Sequence, residues 1–394
     1  MERNSGPLSG VKVIDLSRAL AGPYATMMLA DAGAEVIKVE RPGKGDDSRG
    51  WGPPFVGGPG AEESTYFLSV NRSKKSVVLD FKDPKDLQEL KELICGADVL
   101  VENFRPGVME RIGLGEAELE ALNPRLVVLS ITGFGEGGPE GHKPGFDQIV
   151  QGEAGLMSIT GLPDGPPIKV GVPIADILAG MFGAFGVSSA LMERERSGRG
   201  QRVQTSLLAS VVAIHTFQGT RWLVAGEVPE RTGNRHPTIA PYGAYECADG
   251  VINIAVGSEG IWQRFAPLVG LDPNDERFAT NGDRVRGVKE LEEAMAPALK
   301  SAGVDEWMER LGEAGVPAGR VRTLDQVYAS PQLEHLKLID EVDHPTLGRI
   351  RLPGSPLQYG RSGRRAASAP PLLGQHTEEE LGRLAGGTES KKTT

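Results

Sequence analysis

The sequence contains few of the features that mark several large classes of protein. Its two cysteines, Cys95 and Cys247, lie far apart and in no metal-binding spacing, so both are expected to be reduced. The formal charge of −10 counts against nucleic acid as a partner, because that contact needs clustered Lys and Arg. No uncharged apolar run reaches the roughly 18 residues that span a bilayer, and the first residues do not resemble a secretory leader. We therefore expect a cytoplasmic protein that binds neither a membrane nor nucleic acid.

Short apolar runs alternate with amphipathic stretches through the first two hundred residues. The runs VKVIDL (11–16) and AEVIKVE (34–40) flank a predicted helix, and three more predicted strands follow: KSVVLDF, DVLVENF and RLVVLSITGF. This alternation predicts an α/β fold with a doubly wound, mostly parallel, Rossmann-like sheet. The loop after the first strand lacks the G-x-G-x-x-G pattern of dinucleotide-binding proteins, so an NAD-linked dehydrogenase is only an alternative.

The composition changes after residue 225. The segment 226–242 is rich in glycine, proline and charge, as linkers and active-site loops often are. Beyond it, YECADGVINIAV predicts a β-hairpin, and several helical stretches follow. We therefore expect a large Rossmann-like domain at 1–225, a smaller α/β domain at 226–325, and a return to the large domain at 326–394 with a C-terminal helix and a frayed tail.

Asp176 is the one charged residue in VGVPIADILAGMFGAFGVSSALM (170–192). It stands at the start of a predicted helix, where an Asp commonly acts as the N-cap. Gly180, Gly183 and Ala184 leave one face of that helix bare, which indicates that something packs or binds closely there. The positive end of the helix dipole also favours an ionised carboxylate. From the residues alone, a cap is the simpler interpretation and a catalytic carboxylate is the alternative.

The chain resembles the class III CoA-transferases (the CaiB/BaiF family), which include formyl-CoA transferase, carnitine CoA-transferase and alpha-methylacyl-CoA racemase. The resemblance covers nearly the whole chain. Its carriers are, in order, PLSGVKVIDLSRALAGPYATMMLADAGAEVIKVERPGKGD, NRSKKSVVLDFK, ADVLVENFRPGVMERIGLG, LNPRLVVLSITGFGEGGP, GFDQIVQGEAGLMSITG, ADILAGM, SGRGQRVQTSLL and PPLLGQHT. The segments GDDSRGWGPPF, ESTYFLSVNRSKKS and PPLLGQHT are most similar to the branch that transfers CoA to glutarate and other dicarboxylates.

The resemblance places the family's catalytic aspartate at Asp176. It implies that this carboxylate attacks an acyl-CoA thioester to give a mixed anhydride, and that the released CoA thiolate then forms an aspartyl-CoA thioester. An acceptor carboxylate, expected to be a dicarboxylate, repeats the steps in reverse, with succinyl-CoA as a candidate donor. Coenzyme A thioester thus enters as a substrate, and neither a metal nor a tightly bound cofactor is implied.

The resemblance also implies which residues bind CoA. Leu20 and Ala21 correspond to positions that line the thioester, although some members carry Gln where this chain has Leu20. The other expected CoA contacts are Arg41, Leu79, Lys82, Asn103, Phe104, Arg105, Arg111 and Lys143. Basic side chains suit phosphate; the alternative for each is an ordinary solvated charge.

The motif GFD (145–147) separates two chemistries within the family. The racemases that resemble this chain carry His where it has Phe146, and a phenyl ring cannot take a proton. Racemisation is therefore the less favoured alternative, whereas acyl transfer needs only the nucleophile. We expect Asp147 to be a hydrogen-bonded or capping carboxylate.

The stretch TGNRHPTIAPY (232–242) corresponds to a flexible segment that covers the intermediate in relatives. Here Gly233 is its one glycine, and Arg235 or His236 could meet a distal substrate carboxylate; the alternative is a solvated loop. The resemblance further implies an interlocked homodimer, with each large domain built from both chain ends. A protein that binds CoA without turning it over is the remaining alternative.

Overall fold

The structure, a computed structural model, describes residues 5–390, with side chains to residue 384. Its strands are β1 (Lys12–Asp15), β2 (Glu35–Glu40), β3 (Phe55–Val56), β4 (Glu63–Ser64), β5 (Lys74–Val78), β6 (Val99–Glu102), β7 (Val127–Thr132), β8 (Arg202–Ser206), β9 (Tyr242–Glu246), β10 (Val251–Ala255), β11 (Ala318–Arg320), β12 (Ile339–His344) and β13 (Gly348–Pro353). Its α-helices are α1 (Ala21–Asp31), α2 (Thr65–Val70), α3 (Pro84–Cys95), α4 (Val108–Arg111), α5 (Glu116–Leu122), α6 (Asp147–Glu153), α7 (Ile174–Ser197), α8 (Leu207–Ala213), α9 (Thr216–Ala225), α10 (Glu259–Phe265), α11 (Asn281–Arg286), α12 (Val288–Leu299), α13 (Val304–Glu313), α14 (Leu324–Tyr328), α15 (Pro331–His335) and α16 (Thr377–Ser390).

The chain divides into two compact units. The first contains residues 5–156, Val170–Leu223 and residues 334–390; the second contains Met157–Lys169 and Val224–Leu333. Both chain ends therefore contribute to the first unit. Residues 157–169 belong to the second unit, although composition placed them in the large domain.

The first unit is built on a six-stranded parallel sheet in the order β5-β2-β1-β6-β7-β8. Helices α1, α7 and α8 bury apolar side chains on one face, while α3 and α5 cover the other. The crossover from β1 through α1 leads to β2, and the crossover from β5 through α3 leads back to β6 on the other side of β1. The predicted doubly wound sheet is confirmed, and β1 and β6 flank its switch point.

Helix α7 packs its small residues against the sheet and against α1. A Cβ added at Gly180 would lie 2.7 Å from the carbonyl oxygen of Ala21, and one added at Gly183 would lie 2.9 Å from Leu129. The bare face expected from the sequence is therefore a packing face. By length and composition α7 could cross a membrane, but 44% of its most apolar window is buried, and the core helix of a soluble protein passes the same test.

The PPLLGQHT motif covers the free edge of β5. The His376 amide donates to the carbonyl oxygen of Ser76 (2.9 Å), and the Val78 amide donates to the hydroxyl of Thr377 (3.0 Å). An edge strand with unpaired backbone groups invites unwanted pairing, and this segment pairs it. The predicted frayed tail starts within α16; residues 391–394 lie outside the described residues.

The second unit holds a three-stranded antiparallel sheet in the order β11-β10-β9. The predicted hairpin joins β9 and β10, with the Cys247 amide donating to the carbonyl oxygen of Gly250 (2.8 Å). Buried Trp262 and Trp307 anchor α10 and α13 in this unit's own apolar core.

Candidate active site

The turn between β1 and α1, residues 17–20, is held by hydrogen bonds to its backbone. The amide of Arg18 donates to Asn103 Oδ1 (2.9 Å), and Asn103 Nδ2 donates to the Arg18 carbonyl (2.8 Å). Ala19 has a positive φ of 67°, which L-residues with a Cβ seldom adopt. The amides of Leu20 and Ala21, which follow this residue, donate to no acceptor among the described residues.

A cavity of about 390 Å³ opens beside this turn, at the carboxyl ends of β1 and β2. Such a position is where doubly wound sheets bind their ligands. The structure brings together five of the predicted CoA contacts as cavity lining: Arg41, Leu79, Lys82, Phe104 and Arg105. Ser17 and Arg18 form the part of its wall that belongs to the turn.

The cavity presents both paired and unpaired cations. Asp47 pairs with Arg41 and, at 3.3 Å, with Arg18, while the exposed side chains of Lys82 and Arg105 have no ion-pair partner within residues 5–384. An unpaired cation at a cavity rim is available to a phosphate without first releasing a carboxylate. Arg18, which also lies over the Phe104 ring at 5.3 Å, was missed from the sequence, although it is the second residue after the predicted first strand.

Five predicted CoA contacts do not line the cavity: Leu20 and Ala21, which lie at the start of α1, and three others. The amide group of Asn103 is occupied by the backbone of Arg18, as described above. Lys143 pairs with Glu140 (2.6 Å) and lies outside the cavity lining, and exposed Arg111, at the end of α4, does not line it either. Asn103 thus contributes by fixing the turn, and the expectation that these three side chains contact CoA finds no support in the cavity's geometry.

Asp176 lies in the first turn of α7 but is not its N-cap. The helix begins at Ile174 and Pro173 occupies the capping position, so the predicted cap is wrong by three residues. The carboxylate that serves the helix start is that of Asp147, whose Oδ1 accepts the Ala175 amide (2.8 Å) and whose Oδ2 accepts from Gln151 (2.7 Å). The capping role expected for Asp147 is confirmed, and it leaves Asp176 without a structural task.

Asp176 is half-buried and carries no hydrogen bond or ion pair from any side chain that the structure describes. Burial, and then the negative charge of Asp147, raise its pKa to about 7. The sequence led us to expect that the helix dipole keeps this carboxylate ionised; burial and the neighbouring carboxylate outweigh that effect. A carboxyl group with a strongly perturbed pKa and no structural partner is a candidate catalytic group.

The first turn of α7 meets the start of α1. Leu20 packs in one apolar cluster with Tyr66 and Ile177, so the turn that borders the cavity also borders the helical turn carrying Asp176. Burial and the charge of Asp176 raise the pKa of Tyr66 to about 12, and Trp51 packs edge-on against its ring at 4.9 Å between centroids. No spacing signal in the sequence indicated that Tyr66, with Trp51 against it, lies near Asp176.

The remaining predicted substrate residues, Phe146, Gly233, Arg235 and His236, do not line the cavity described above. Phe146, just before α6, is 61% exposed. Gly233 has a φ of 63° and donates its amide to Gly161 (2.9 Å). Arg235 makes a two-pronged ion pair with Glu292 (2.6 and 2.7 Å), and the ring of His236 stacks on Tyr242. The free cation expected at Arg235 is therefore already neutralised, because a substrate carboxylate would have to displace Glu292.

A second cavity of about 300 Å³ lies between the α4–α5 segment and strands β7 and β8. Its lining includes four glutamates, Glu102, Glu110, Glu116 and Glu120, and two arginines, Arg199 and Arg202. Arg199 pairs with Glu120 (2.6 Å) and Arg202 with Glu116 (3.9 Å), so the lining carries a net negative charge and its cations are already paired, which disfavours phosphate binding. No group of three or more His, Cys, Asp or Glu within residues 5–384 is arranged to hold a metal ion.

Comparison with known proteins identifies the class of enzyme. The family model for CoA-transferase family III matches residues 8–377. The chain belongs to this family, as its motifs predicted, and is an acyl-CoA:carboxylate CoA-transferase that uses CoA thioesters as substrates.

Individual relatives match over almost the whole chain. The succinyl-CoA:glutarate CoA-transferase of Mus musculus is 40% identical over 377 residues, 95% of this chain and 86% of that protein. The succinate–glutarate CoA-transferase of Agrobacterium fabrum is 38% identical over 395 residues, 98% of this chain and 97% of that protein. A solved CAIB/BAIF family protein from Brucella suis is 36% identical, with a TM-score of 0.87, covering 97% of this chain and all of that one.

Proposed function

We propose that this enzyme moves CoA from an acyl-CoA donor, with succinyl-CoA as the first candidate, to a dicarboxylate acceptor, and that Asp176 is its covalent nucleophile. The observation that carries the proposal is an unpartnered, half-buried carboxylate beside the turn that also borders a cavity with unpaired cations. The cavity supplies a place for the phosphates of CoA, and the turn joins that place to the nucleophile.

The proposed reaction proceeds in four balanced steps. An oxygen of the Asp176 carboxylate attacks the thioester carbonyl of the donor and CoA leaves as its thiolate, which gives a mixed anhydride. The thiolate attacks the Asp176 carbonyl of that anhydride, releasing the donor acid and leaving an aspartyl-CoA thioester. The acceptor carboxylate attacks this thioester and expels the thiolate, and the thiolate attacks the acceptor carbonyl to release acceptor-CoA and free Asp176.

The surroundings of Asp176 suit this role. A carboxylate with a pKa near 7 is more basic than an ordinary one, and roughly half of it is ionised at neutral pH. Tyr66 packs in the cluster that contains Leu20 and Ile177, and its pKa of about 12 keeps the hydroxyl protonated well above neutral pH. We assign to this hydroxyl a hydrogen bond to an acyl oxygen of the bound substrate.

The CoA site gives a prediction with a matched control. We expect the double substitution Lys82→Ala/Arg105→Ala to raise the KM for acyl-CoA about 10- to 100-fold with little change in kcat, because two charge-assisted contacts to phosphate are lost. Arg111→Ala removes an exposed cation outside the cavity and should leave KM within about twofold. Steady-state kinetics on the two variants checks this prediction. An equal change in the KM for acyl-CoA in both variants would show that the cavity is not the CoA site.

The dicarboxylate preference is supported by the relatives that bear succinyl-CoA:glutarate names. Transfer from succinyl-CoA to a panel of acids, read by mass spectrometry of the CoA products, tests it. Glutarate is expected to exceed pentanoate, which has the same number of carbons, by at least about tenfold in kcat/KM, since a second carboxylate adds one charged contact. Equal rates for the two acids would remove the preference.

We propose a homodimer, interlocked as the family resemblance implies, whose contact includes the apolar face of α6–α9. Half or more of Phe185, Met192 and Trp222 is exposed on these helices, and a large exposed apolar patch on a soluble protein is commonly an interface. Phe185 and Met192 lie on α7, the helix that also carries Asp176, and a second copy is the occupant that the family resemblance implies.

The dimer gives a prediction about mass. Light scattering of the native protein at micromolar concentration should give the mass of two chains, and Phe185→Asp should shift it toward one chain, because a carboxylate would be buried in the contact. Leu357→Asp, an equally drastic change at a residue that is 47% exposed away from these helices, should not. A native monomer, or a dimer unaffected by Phe185→Asp, would contradict the assignment.

A further inference from the structure

A buried ion pair lies against the turn that carries Leu20. Its two residues, Lys38 and Asp46, also belong to the wall of the proposed CoA cavity, but the proposed chemical steps do not use them. Lys38 and Asp46 are both buried, with the ammonium nitrogen 2.8 Å from Asp46 Oδ2. Taking two charges out of water is costly, and an apolar replacement of similar volume is often as stable. Stability alone therefore does not account for this pair.

The pair reaches the turn from two sides. Lys38 Nζ donates to the carbonyl oxygen of Ser17 (2.8 Å), and Asp46 Oδ1 accepts the amide of Ala19 (3.1 Å). The same oxygen accepts the amide and hydroxyl of Ser48 (2.9 and 2.8 Å). Burial opposes ionisation of Asp46, but Lys38 and these donors outweigh it and lower the pKa of Asp46 to about 2, so the carboxylate remains charged at any working pH.

Ala19 is the residue that requires such restraint. Its φ of 67° is unfavourable for a residue with a Cβ, and the chain holds such a conformation only where the surroundings enforce it. If Ala19 returned to a negative φ, the amides of Leu20 and Ala21 would turn away from their present direction. The position of the start of α1 relative to Asp176 thus depends on the conformation of one alanine.

We propose that Asp46, backed by Lys38, is a positioning residue for CoA transfer: its hydrogen bond to the Ala19 amide holds the strained turn that places Leu20 and Ala21 beside the nucleophile. This rests on the proposed function, because Leu20 and Ala21 are taken there to border the thioester. It predicts an effect on the chemical steps that is separate from binding and from folding.

The test compares variants that lack the ion pair equally. Lys38→Met/Asp46→Asn keeps an acceptor for the Ala19 amide, whereas Lys38→Met/Asp46→Leu does not. We expect kcat of the leucine form to be at least about tenfold below that of the asparagine form, with the KM for acyl-CoA within about threefold, since small misplacements of reacting groups are costly. Equal kcat values in the two forms would overturn the proposal.

A rescue experiment separates positioning from stability. Glycine adopts positive φ freely, so adding Ala19→Gly to the leucine form should restore kcat by at least about threefold, because the turn no longer needs Asp46. Lys337→Gly is the matched control, since Lys337 is exposed, has a φ of 53° and lies outside the site. It should raise Tm without restoring kcat; equal rescue by both glycines would overturn the proposal.

Two further measurements cover the case in which the leucine form does not fold, and distinguish a failure of this proposal from a failure of the proposed function. If the leucine form shows no cooperative melt, the same rescue is made on Lys38→Met/Asp46→Ala, which also lacks the acceptor for the Ala19 amide. Ala19→Gly and not Lys337→Gly should raise kcat there, and no rescue by Ala19→Gly would overturn the proposal. Chemical trapping of the acyl group on Asp176 in the native enzyme tests the proposed function separately. A label on Asp176 together with unaffected variants refutes only the role of Asp46, whereas a label elsewhere refutes the proposed function itself.

Discussion

Asp176→Asn is expected to lower CoA transfer by at least about 10⁴-fold, the loss typical when a covalent nucleophile is removed. The amide has nearly the shape of the carboxylate, and Asp176 holds no hydrogen bond that the structure describes, so folding and acyl-CoA binding should persist. The measurement is single-turnover transfer, with a thermal melt and CoA titration on the same sample. Near-native transfer would remove Asp176 from the mechanism.

The same variant should be more stable than the native enzyme above neutral pH. The folded pKa of about 7 exceeds the ordinary value of 3.8, so the folded state holds the extra proton between roughly pH 4 and 7 and native stability falls as pH rises through that window. An uncharged Asn avoids this loss, which at 1.4 kcal/mol per pKa unit is at most about 4 kcal/mol. The Tm advantage of Asp176→Asn should therefore be full above pH 7 and disappear near pH 4.

The rate of acylation is expected to fall about tenfold for each pH unit below 7, because only ionised Asp176 attacks. The rate should be measured with an acyl-pantetheine donor, whose lack of phosphates removes their own ionisation from the profile. If the acylation rate instead begins to fall only near pH 4, Asp176 has an ordinary pKa in the working enzyme.

Asp147→Asn supplies the control for the cause of that pKa. It removes the neighbouring negative charge while Asn Oδ1 can still accept the Ala175 amide, so the acid limb should move to lower pH. In the variant, Gln151 must turn its amide so that its oxygen accepts from the new amide group at position 147. A small loss of stability is therefore expected and does not count against the prediction. If the pH at which the rate falls does not move, burial alone accounts for the raised pKa of Asp176.

The periodic parts of the fold could be predicted from the sequence. The apolar runs gave β1, β2 and the parallel sheet because buried parallel strands are continuously apolar, and the bare glycine face of α7 correctly indicated close packing. The exact start of α7 could not be predicted: Asp is a favoured cap, but Pro173 occupies that position, and Asp147, 28 residues before Ala175, accepts the Ala175 amide.

Candidate site residues could be predicted where they directly follow predicted strands. They could not be predicted where an ion pair with a residue distant in sequence decides whether a side chain is free to bind a ligand. Lys82 and Arg105, predicted to contact CoA, follow β5 and β6 and line the cavity. Arg235 looked free, but Glu292, distant in sequence, neutralises it. Tyr66 and Asp46 gave no signal, since an aromatic residue at a helix start and an aspartate in a turn are ordinary until the fold brings Asp176 and Ala19 beside them.

Trapping of the covalent intermediate tests the central claim most directly. The native enzyme is incubated with succinyl-CoA and no acceptor, then treated with hydroxylamine, digested and mapped by mass spectrometry, with Asp176→Asn carried through the same procedure. We predict a hydroxamate on the peptide containing Asp176 in the native enzyme and none in the variant. A hydroxamate on Asp147 or another carboxylate, or no enzyme-bound intermediate during productive turnover, would contradict covalent catalysis by Asp176.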